Sequence, residues 1–187
     1  MHTPESGYVV IPLNYLPSEE AGKPKPEVEE ERQYIRDHIL GKANQDIIND
    51  SRSMNILTEI GSDLIINAFA CNFRHPNGTL NDDIEEANLF NRGIVENLSI
   101  TSSAHVLGDL EFYLCSTEFK EEYGECATNL KNRMGLSNPK ESESLFVLRN
   151  VVMSPFQTSG DFVSKLADVF TKVIKQEVLV RSLFFNV

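Results

Sequence analysis

The chain has 187 residues, and 17 lysines and arginines stand against 28 aspartates and glutamates, which gives a net charge of −11. Such an acidic surface repels phosphate, which argues against nucleic acid or an anionic membrane face as a partner. No apolar run reaches the roughly 18 residues of a membrane span, and the N-terminus lacks a signal-peptide pattern. Cys71, Cys115 and Cys126 are too widely spaced for a disulfide framework or a zinc site. These features predict a cytoplasmic globular protein without a bound metal.

Residues 1–26 are predicted to form an extended arm and linker, and residues 27–187 to form a single domain. Five prolines before residue 27 forbid a long helix in the arm, whereas Tyr8–Ile11 is apolar enough for a strand. The sequence leaves open whether the arm is a disordered tail or lies across the core or a partner.

Helices and strands alternate in the predicted domain. In chain order they are a helix over 27–40, a short helix over 51–60, a strand over 64–73, a helix over 81–98, a strand over 110–117, a charged helical segment over 118–135, a strand over 145–153 and a long helix that opens at Thr158–Asp161. The strand over 64–73 is apolar on both faces and is therefore expected in the centre of a sheet. This order predicts an α+β fold (an α/β sandwich), with a small, mostly antiparallel sheet and helices packed on one face.

Two stretches carry a resemblance to a known family. The strand over 64–73 and its Asn-Gly turn lead into Asn81-Asp82-Asp83-Ile84-Glu85-Glu86-Ala87-Asn88-Leu89-Phe90-Asn91-Arg92, and Leu145–Thr158 precedes the long last helix. Their order and spacing resemble the C-terminal domain of group II pyridoxal-phosphate-dependent decarboxylases, the aromatic-amino-acid decarboxylase type, over about residues 50–180. The chain begins with Met and is expected to be a stand-alone protein that lacks the large domain of that family.

The resemblance does not bring the family's cofactor with it. In the family, pyridoxal phosphate binds a lysine beside a histidine in the large domain, whereas no histidine of this sequence precedes a lysine. A glycine-rich phosphate cradle is also missing. We therefore predict no cofactor and no decarboxylase activity. The surface that faces the large domain in the family then needs cover, which predicts a homodimer with Phe184 and Phe185 in or beside the interface.

The predicted strands offer side chains for an apolar pocket. Alternation places Asn67, Phe69, Cys71 and Phe73 on one face of their strand and Tyr113, Cys115 and Thr117 on one face of theirs. We predict hydrogen-bonding catalytic roles for Tyr113, Asn67 and Arg149, and substrate contacts for Phe69, Cys71, Phe73, Cys115 and Thr117. An ordinary core with satisfied polar groups gives the same pattern. Arg149 lies inside an apolar strand and could equally form an ion pair with an acidic residue.

Three classes of function remain open. The first is a cofactor-independent cyclase of natural-product biosynthesis (secondary metabolism), such as an intramolecular Diels–Alderase that holds an apolar small-molecule substrate in its reactive conformer. This class comes by association with the resemblance. The alternatives are a non-catalytic interaction module derived from a decarboxylase and a small-molecule-binding protein without turnover. A closed apolar cavity would favour a pocket, whereas a solidly packed sheet face would favour the interaction module.

Overall fold

The structure is a computed structural model, and it describes residues 7–60, 66–99, 114–137, 143–151 and 161–184. The contacts divide the chain into two compact units, residues 14–65 and residues 1–13 with 66–187. The domain boundary predicted after residue 26 stays a prediction, because compact packing does not by itself define a domain.

The unit of residues 14–65 is built from helices. They are α1 (Pro17–Glu20), α2 (Lys25–His38), α3 (Asn44–Asn49) and α4 (Ser51–Ile60). Val28 of α2 and Ile56 of α4 are buried, and Arg32 of α2 pairs with Glu19 of α1. The helices predicted over 27–40 and 51–60 are thereby confirmed.

The other unit is organised around an antiparallel sheet. Its described strands are β1 (Tyr8–Pro12), β2 (Ile66–Phe73), β3 (Cys115–Phe119) and β4 (Leu145–Val151), in the spatial order β1-β2-β4-β3. The apolar strand predicted for the centre of the sheet is confirmed as β2, and the apolar part of the arm forms β1 beside it. Residues 64–65, 110–113 and 152–153 of the predicted strands lie outside the described residues.

The helices of this unit begin and end close to the predicted positions. They are α5 (Ile84–Asn97), α6 (Gly124–Arg133), preceded by a 3₁₀ turn over Glu121–Tyr123, and α7 (Phe162–Phe184). Asp83 caps α5, because its side chain accepts the N–H groups of Glu85 at 2.7 Å and Glu86 at 3.0 Å. Residues 158–160 of the predicted cap of α7 lie outside the described residues.

The two faces of the sheet carry separate apolar clusters. On one face, which we call face A, the side chains of β2 and β4 pack against α5 and α7, with Phe73, Phe90 and Ile174 fully buried. We call the opposite face of the sheet face B. Face B packs against the apolar stripe formed by Ala127 and Leu130 of α6 and by Met134, which directly follows the helix. The predicted α+β fold and antiparallel sheet are confirmed. Helices cover parts of both faces, because the charged segment over 118–135 also has an apolar stripe, and this stripe packs on face B.

Helix α5 lies between β2 and β4 where these strands diverge. The two strands pair over residues Ile66–Phe69 of β2. Beyond Phe69, a side-chain amide of α5 forms the hydrogen bonds with β2 that a neighbouring strand would otherwise form. Asn91 accepts the N–H of Cys71 at 2.8 Å and donates to the Cys71 carbonyl at 2.7 Å. The amide therefore replaces a peptide group of the absent neighbouring strand.

A second asparagine of α5 performs the same task for β4. Asn88 accepts the N–H of Phe146 at 2.7 Å and donates to the Ser144 carbonyl at 2.9 Å. We call Asn88 and Asn91 the asparagine wedge. The wedge supplies hydrogen-bond partners to backbone groups on the facing edges of β2 and β4. These four groups therefore stay hydrogen-bonded although the two strands diverge.

Candidate functional site

The strand register places the predicted site residues on opposite faces of the sheet. Face A carries Asn67, Phe69, Cys71 and Phe73, and face B carries Cys115, Thr117 and Arg149. This division follows from the alternation of side chains along β4. Leu148 pairs with Phe69 on face A, and the next residue, Arg149, pairs with Cys115 on face B. Tyr113 lies outside the described residues. The two predicted groups therefore do not line one common surface.

On face A the predicted residues belong largely to the core. Cys71 and Phe73 are fully buried, and the rings of Phe73 and Phe90 lie 5.3 Å apart. Phe69 is half-buried and meets a phenylalanine of α7 edge to face. Burial raises the pKa of the Cys71 thiol, which makes it a poor nucleophile. Face A is thus closely packed from Phe69 to Phe73, whereas Asn67 is exposed.

Half of face B is not covered by α6. The half at Leu145 and Val147 is fully buried against α6, whereas the half at the start of β2 has half-buried and exposed side chains. We call this second part the open half-face, and it consists of Ile66, Ala68, Cys115, Thr117, Arg149 and Val151. Ile66 is 44% exposed and Cys115 is exposed. Three of the residues predicted from the sequence, Cys115, Thr117 and Arg149, are brought together here.

Arg149 lies in the middle of the open half-face. Its neighbours across the strands are Ala68 on one side and Cys115 on the other. The side chain is half-buried, and its Nε is buried without a hydrogen-bond partner. Among the residues that the structure describes, no carboxylate forms an ion pair with Arg149. The structural ion pair that the sequence left open is therefore not found in the described part of the chain.

A polar cluster that the sequence did not predict lies in the unit of residues 14–65. The Tyr34 hydroxyl donates to Asp50, which also accepts the Ser53 hydroxyl at 2.7 Å. The Arg52 guanidinium lies 4.0 Å from the centre of the Tyr34 ring, and His38 stacks on that ring at 4.2 Å. The hydrogen bonds from Tyr34 and then Ser53 lower the pKa of Asp50 to about 2. The position of Asp50 before a predicted helix start indicates a cap, but only the fold brings Tyr34 to it.

A groove of about 370 Å³ borders the same unit. Its lining residues are Pro17, Ser18, Ala21, Lys23, Glu27, Glu30, Glu31, Arg52 and Glu59. Its two cations already have partners, because Lys23 lies 3.6 Å from Glu27 and Arg52 lies 3.8 Å from Glu30. Neither cation of the groove is therefore free to select an anionic ligand.

The described ranges offer neither a metal-binding cluster nor a membrane-spanning helix. Within them, no group of three or more histidine, cysteine, aspartate or glutamate side chains is placed to hold a metal ion. No helix in those ranges is both long enough and apolar enough to cross a bilayer.

The chain matches a known family. A family model described as tyrosine decarboxylase, C-terminal, matches residues 43–178. The match includes β2, β3 and β4 and therefore the whole open half-face, and it includes the asparagine wedge of α5. It also includes nearly all of the stretches on which the resemblance in the sequence rests. No curated protein matches the chain.

Proposed function

Because the chain belongs to the family of tyrosine decarboxylase C-terminal domains, we propose that it acts as a non-catalytic docking lobe. In this proposal the open half-face binds the part of a decarboxylase-type chain that precedes such a domain and holds the cofactor in the resembling enzymes. The chain then contributes a binding surface and leaves the reacting groups to its partner. The observation that carries the proposal is the apolar, partly exposed character of the open half-face.

The composition of this surface supports a protein partner. A sheet face that meets water normally carries polar side chains at its outward positions. Here Ile66, Ala68 and Val151 occupy such positions, and Ile66 is 44% exposed. Contiguous apolar surface of this kind usually marks a binding site. A second protein surface would remove these side chains from water.

Two observations count against pyridoxal phosphate as a ligand of this chain. Lys131 is fully buried, and its amine donates to the carbonyl of Glu143 at 2.5 Å, so it is not placed to bind a cofactor aldehyde. The whole sequence has no histidine followed by lysine, which is the pair that the resembling enzymes use. We derive no chemical step through the cofactor and assign its binding to the partner.

The docking proposal predicts association in trans. We expect the full chain to bind a tyrosine decarboxylase truncated before its own C-terminal region, as measured by size-exclusion chromatography with light scattering. Ile66→Asp should weaken this binding about tenfold or more, since it places a charge in the interface. Leu89→Asp is the matched control, because Leu89 of α5 is 46% exposed and does not belong to the open half-face.

The truncated enzyme's own C-terminal region, supplied in trans, shows that the assay can detect assembly. If that region binds and the wild-type chain does not, the docking proposal is wrong.

A second candidate function is the cofactor-independent cyclase, which acts by Diels–Alder-type cycloaddition on an apolar small molecule. Arg149 favours it, because its buried Nε has no hydrogen-bond partner among the described residues and a guanidinium can polarise a substrate carbonyl. The cycloaddition converts two carbon–carbon π bonds of one substrate into two carbon–carbon σ bonds, so it needs no oxidant, no reductant and no proton donor. Asn67 lies on the other face and Tyr113 lies outside the described residues, so Arg149 is the predicted catalytic residue that the open half-face offers.

The cyclase candidate is tested with linear diene–dienophile substrates and mass spectrometry of the products. Its rate should vary little between about pH 6 and 9, because no side chain transfers a proton. Arg149→Gln should slow the reaction about tenfold or more. A bell-shaped pH profile would instead indicate acid–base catalysis, and a lack of product above the uncatalysed rate would leave the docking lobe as the better proposal.

A homodimer remains part of the proposal and uses the end of α7. Leu179 and Leu183, one helical turn apart, are 65% and 71% exposed. We expect light scattering to give twice the mass of one chain, and Leu183→Glu to give the mass of one chain. Leu40→Glu is the control, since Leu40 is 62% exposed in the other unit. A wild-type mass of one chain at micromolar concentration would contradict the dimer.

A further inference from the structure

We infer that Arg149 is the anchor of the open half-face and binds a carboxylate that the docking partner presents. The inference rests on the proposed docking function and names the chemistry by which the partner is recognised. It concerns a side chain of this chain alone, so part of it can be tested without the partner.

Within the described ranges, the surroundings of Arg149 supply no counter-ion for its charge. Both cross-strand neighbours, Ala68 and Cys115, lack a carboxylate, although the chain as a whole has a net charge of −11. Its Nε is buried and has no hydrogen-bond partner. A charge that is partly removed from water costs free energy unless it is paired. An incoming anion would supply the missing partner and bury the rest of the guanidinium.

The chemistry of the surface selects a carboxylate. The planar guanidinium matches a carboxylate with two parallel hydrogen bonds. Polyphosphate and nucleic acid are disfavoured, because the negative net charge of the chain repels them at long range. Ile66 and Val151, which flank this position on the same face, suit the aliphatic stem of an aspartate or glutamate side chain. The anchor on the partner is therefore an acidic side chain.

Cys115 provides a built-in reporter for this site. It is exposed and lies directly across from Arg149, whereas Cys71 is buried. In a Cys126→Ser background, alkylation of the Cys115 sulfur displaces iodide from either iodoacetate or neutral iodoacetamide. The rate with iodoacetate relative to iodoacetamide should fall about fivefold in Arg149→Gln, because the cation that attracts the anionic reagent is gone. Arg149→Lys should keep most of the ratio.

Protection experiments test whether the anion is bound rather than merely attracted. Benzoate should slow the alkylation of Cys115 by iodoacetamide in a saturable way, whereas uncharged benzamide should not. The benzoate effect should vanish in Arg149→Gln. Benzoate that has no effect on the wild type, or that has the same effect on Arg149→Gln, would overturn the carboxylate site.

The assembly experiment identifies the source of the carboxylate. Binding to the truncated decarboxylase should weaken about tenfold or more in Arg149→Gln and further in Arg149→Glu, because an acidic group of the partner loses its counter-ion. If Arg149→Gln binds as tightly as the wild type, the anchor is wrong although the docking function stands. If the wild-type chain fails to bind while benzoate still protects Cys115, the docking function is wrong and the site binds small acids.

Discussion

Replacing Asn91 by alanine is expected to lower the free energy of unfolding of the sheet unit by about 3–5 kcal/mol. The change leaves the N–H and the carbonyl of Cys71 without partners in a fully buried position. Each unsatisfied buried group costs about 1–3 kcal/mol, and the truncated side chain also leaves a cavity. Such a loss is a large fraction of the roughly 5–15 kcal/mol that stabilises a domain.

The Asn91 prediction has a direct local readout. Hydrogen exchange of the Cys71 amide should accelerate in Asn91→Ala together with the fall in the urea midpoint. Asn91→Asp keeps an acceptor for the Cys71 N–H but loses the donor, and it should be at least as unstable because it buries a charge. Asn132→Ala is the control, since Asn132 is exposed on α6 and should change stability by less than about 0.5 kcal/mol. Equal stability of Asn91→Ala and wild type would mean that the wedge does not support the sheet.

The asparagine wedge shows what local sequence patterns can and cannot predict. The cap at Asp83 and the apolar stripe of α5 follow from residues within a few positions of one another. The partners of Asn91 lie twenty residues away in a strand, and the bond exists because β2 and β4 diverge after Phe69. No periodicity in the sequence encodes that divergence. The asparagines stand out in the sequence only as part of the stretch that carries the family resemblance.

The sequence predicts which site residues of one strand share a face of the sheet, but it does not predict which faces of different strands coincide. Alternation correctly groups Asn67, Phe69 and Cys71 on one face of β2, because side-chain parity is fixed along a strand. Parity between strands depends on register, and a shift of one residue moves every side chain of a strand to the other face. The pairing of Cys115 with Arg149 places both opposite to that group. The sequence therefore predicted three of the six residues of the open half-face, Cys115, Thr117 and Arg149, but grouped them with residues of the other face.

The buried carboxylate of Glu177 lies where α5 and α7 pack together, and it limits which residue fits at position 93 of α5. Glu177 of α7 is 7% exposed and accepts the amide of Asn97 at 3.0 Å. A Cβ at Gly93 of α5 would lie 2.7 Å from its carboxyl carbon, so any larger residue at position 93 forces this carboxyl group to move. Burial raises the pKa of Glu177; Glu96 acts in the same direction and Arg181 opposes it.

The raised pKa sets the sign of a pH dependence. The unfolded chain releases the Glu177 proton at the ordinary glutamate pKa, while the folded chain holds it to higher pH. The contribution of Glu177 to stability is therefore fully present below the ordinary value and is lost as the pH rises through the raised folded pKa. Glu177→Gln removes this proton and should flatten the urea midpoint across that window. A midpoint with the same pH dependence in both proteins would rule out Glu177 as its source.

We expect the effect of Gly93→Ala on the free energy of unfolding to have opposite signs in the wild type and in Glu177→Ala. In the wild type, Gly93→Ala should destabilise the sheet unit by about 1–3 kcal/mol, because the new methyl group displaces a buried carboxylate from its hydrogen bond with Asn97. In Glu177→Ala the obstacle is gone, and the same change should stabilise by up to about 1 kcal/mol, since alanine favours the helix interior over glycine. Glu177→Gln keeps the bulk without the charge, so Gly93→Ala should remain destabilising there. Urea unfolding of the four-variant cycle measures the coupling, and additive effects would show that the two residues do not constrain each other.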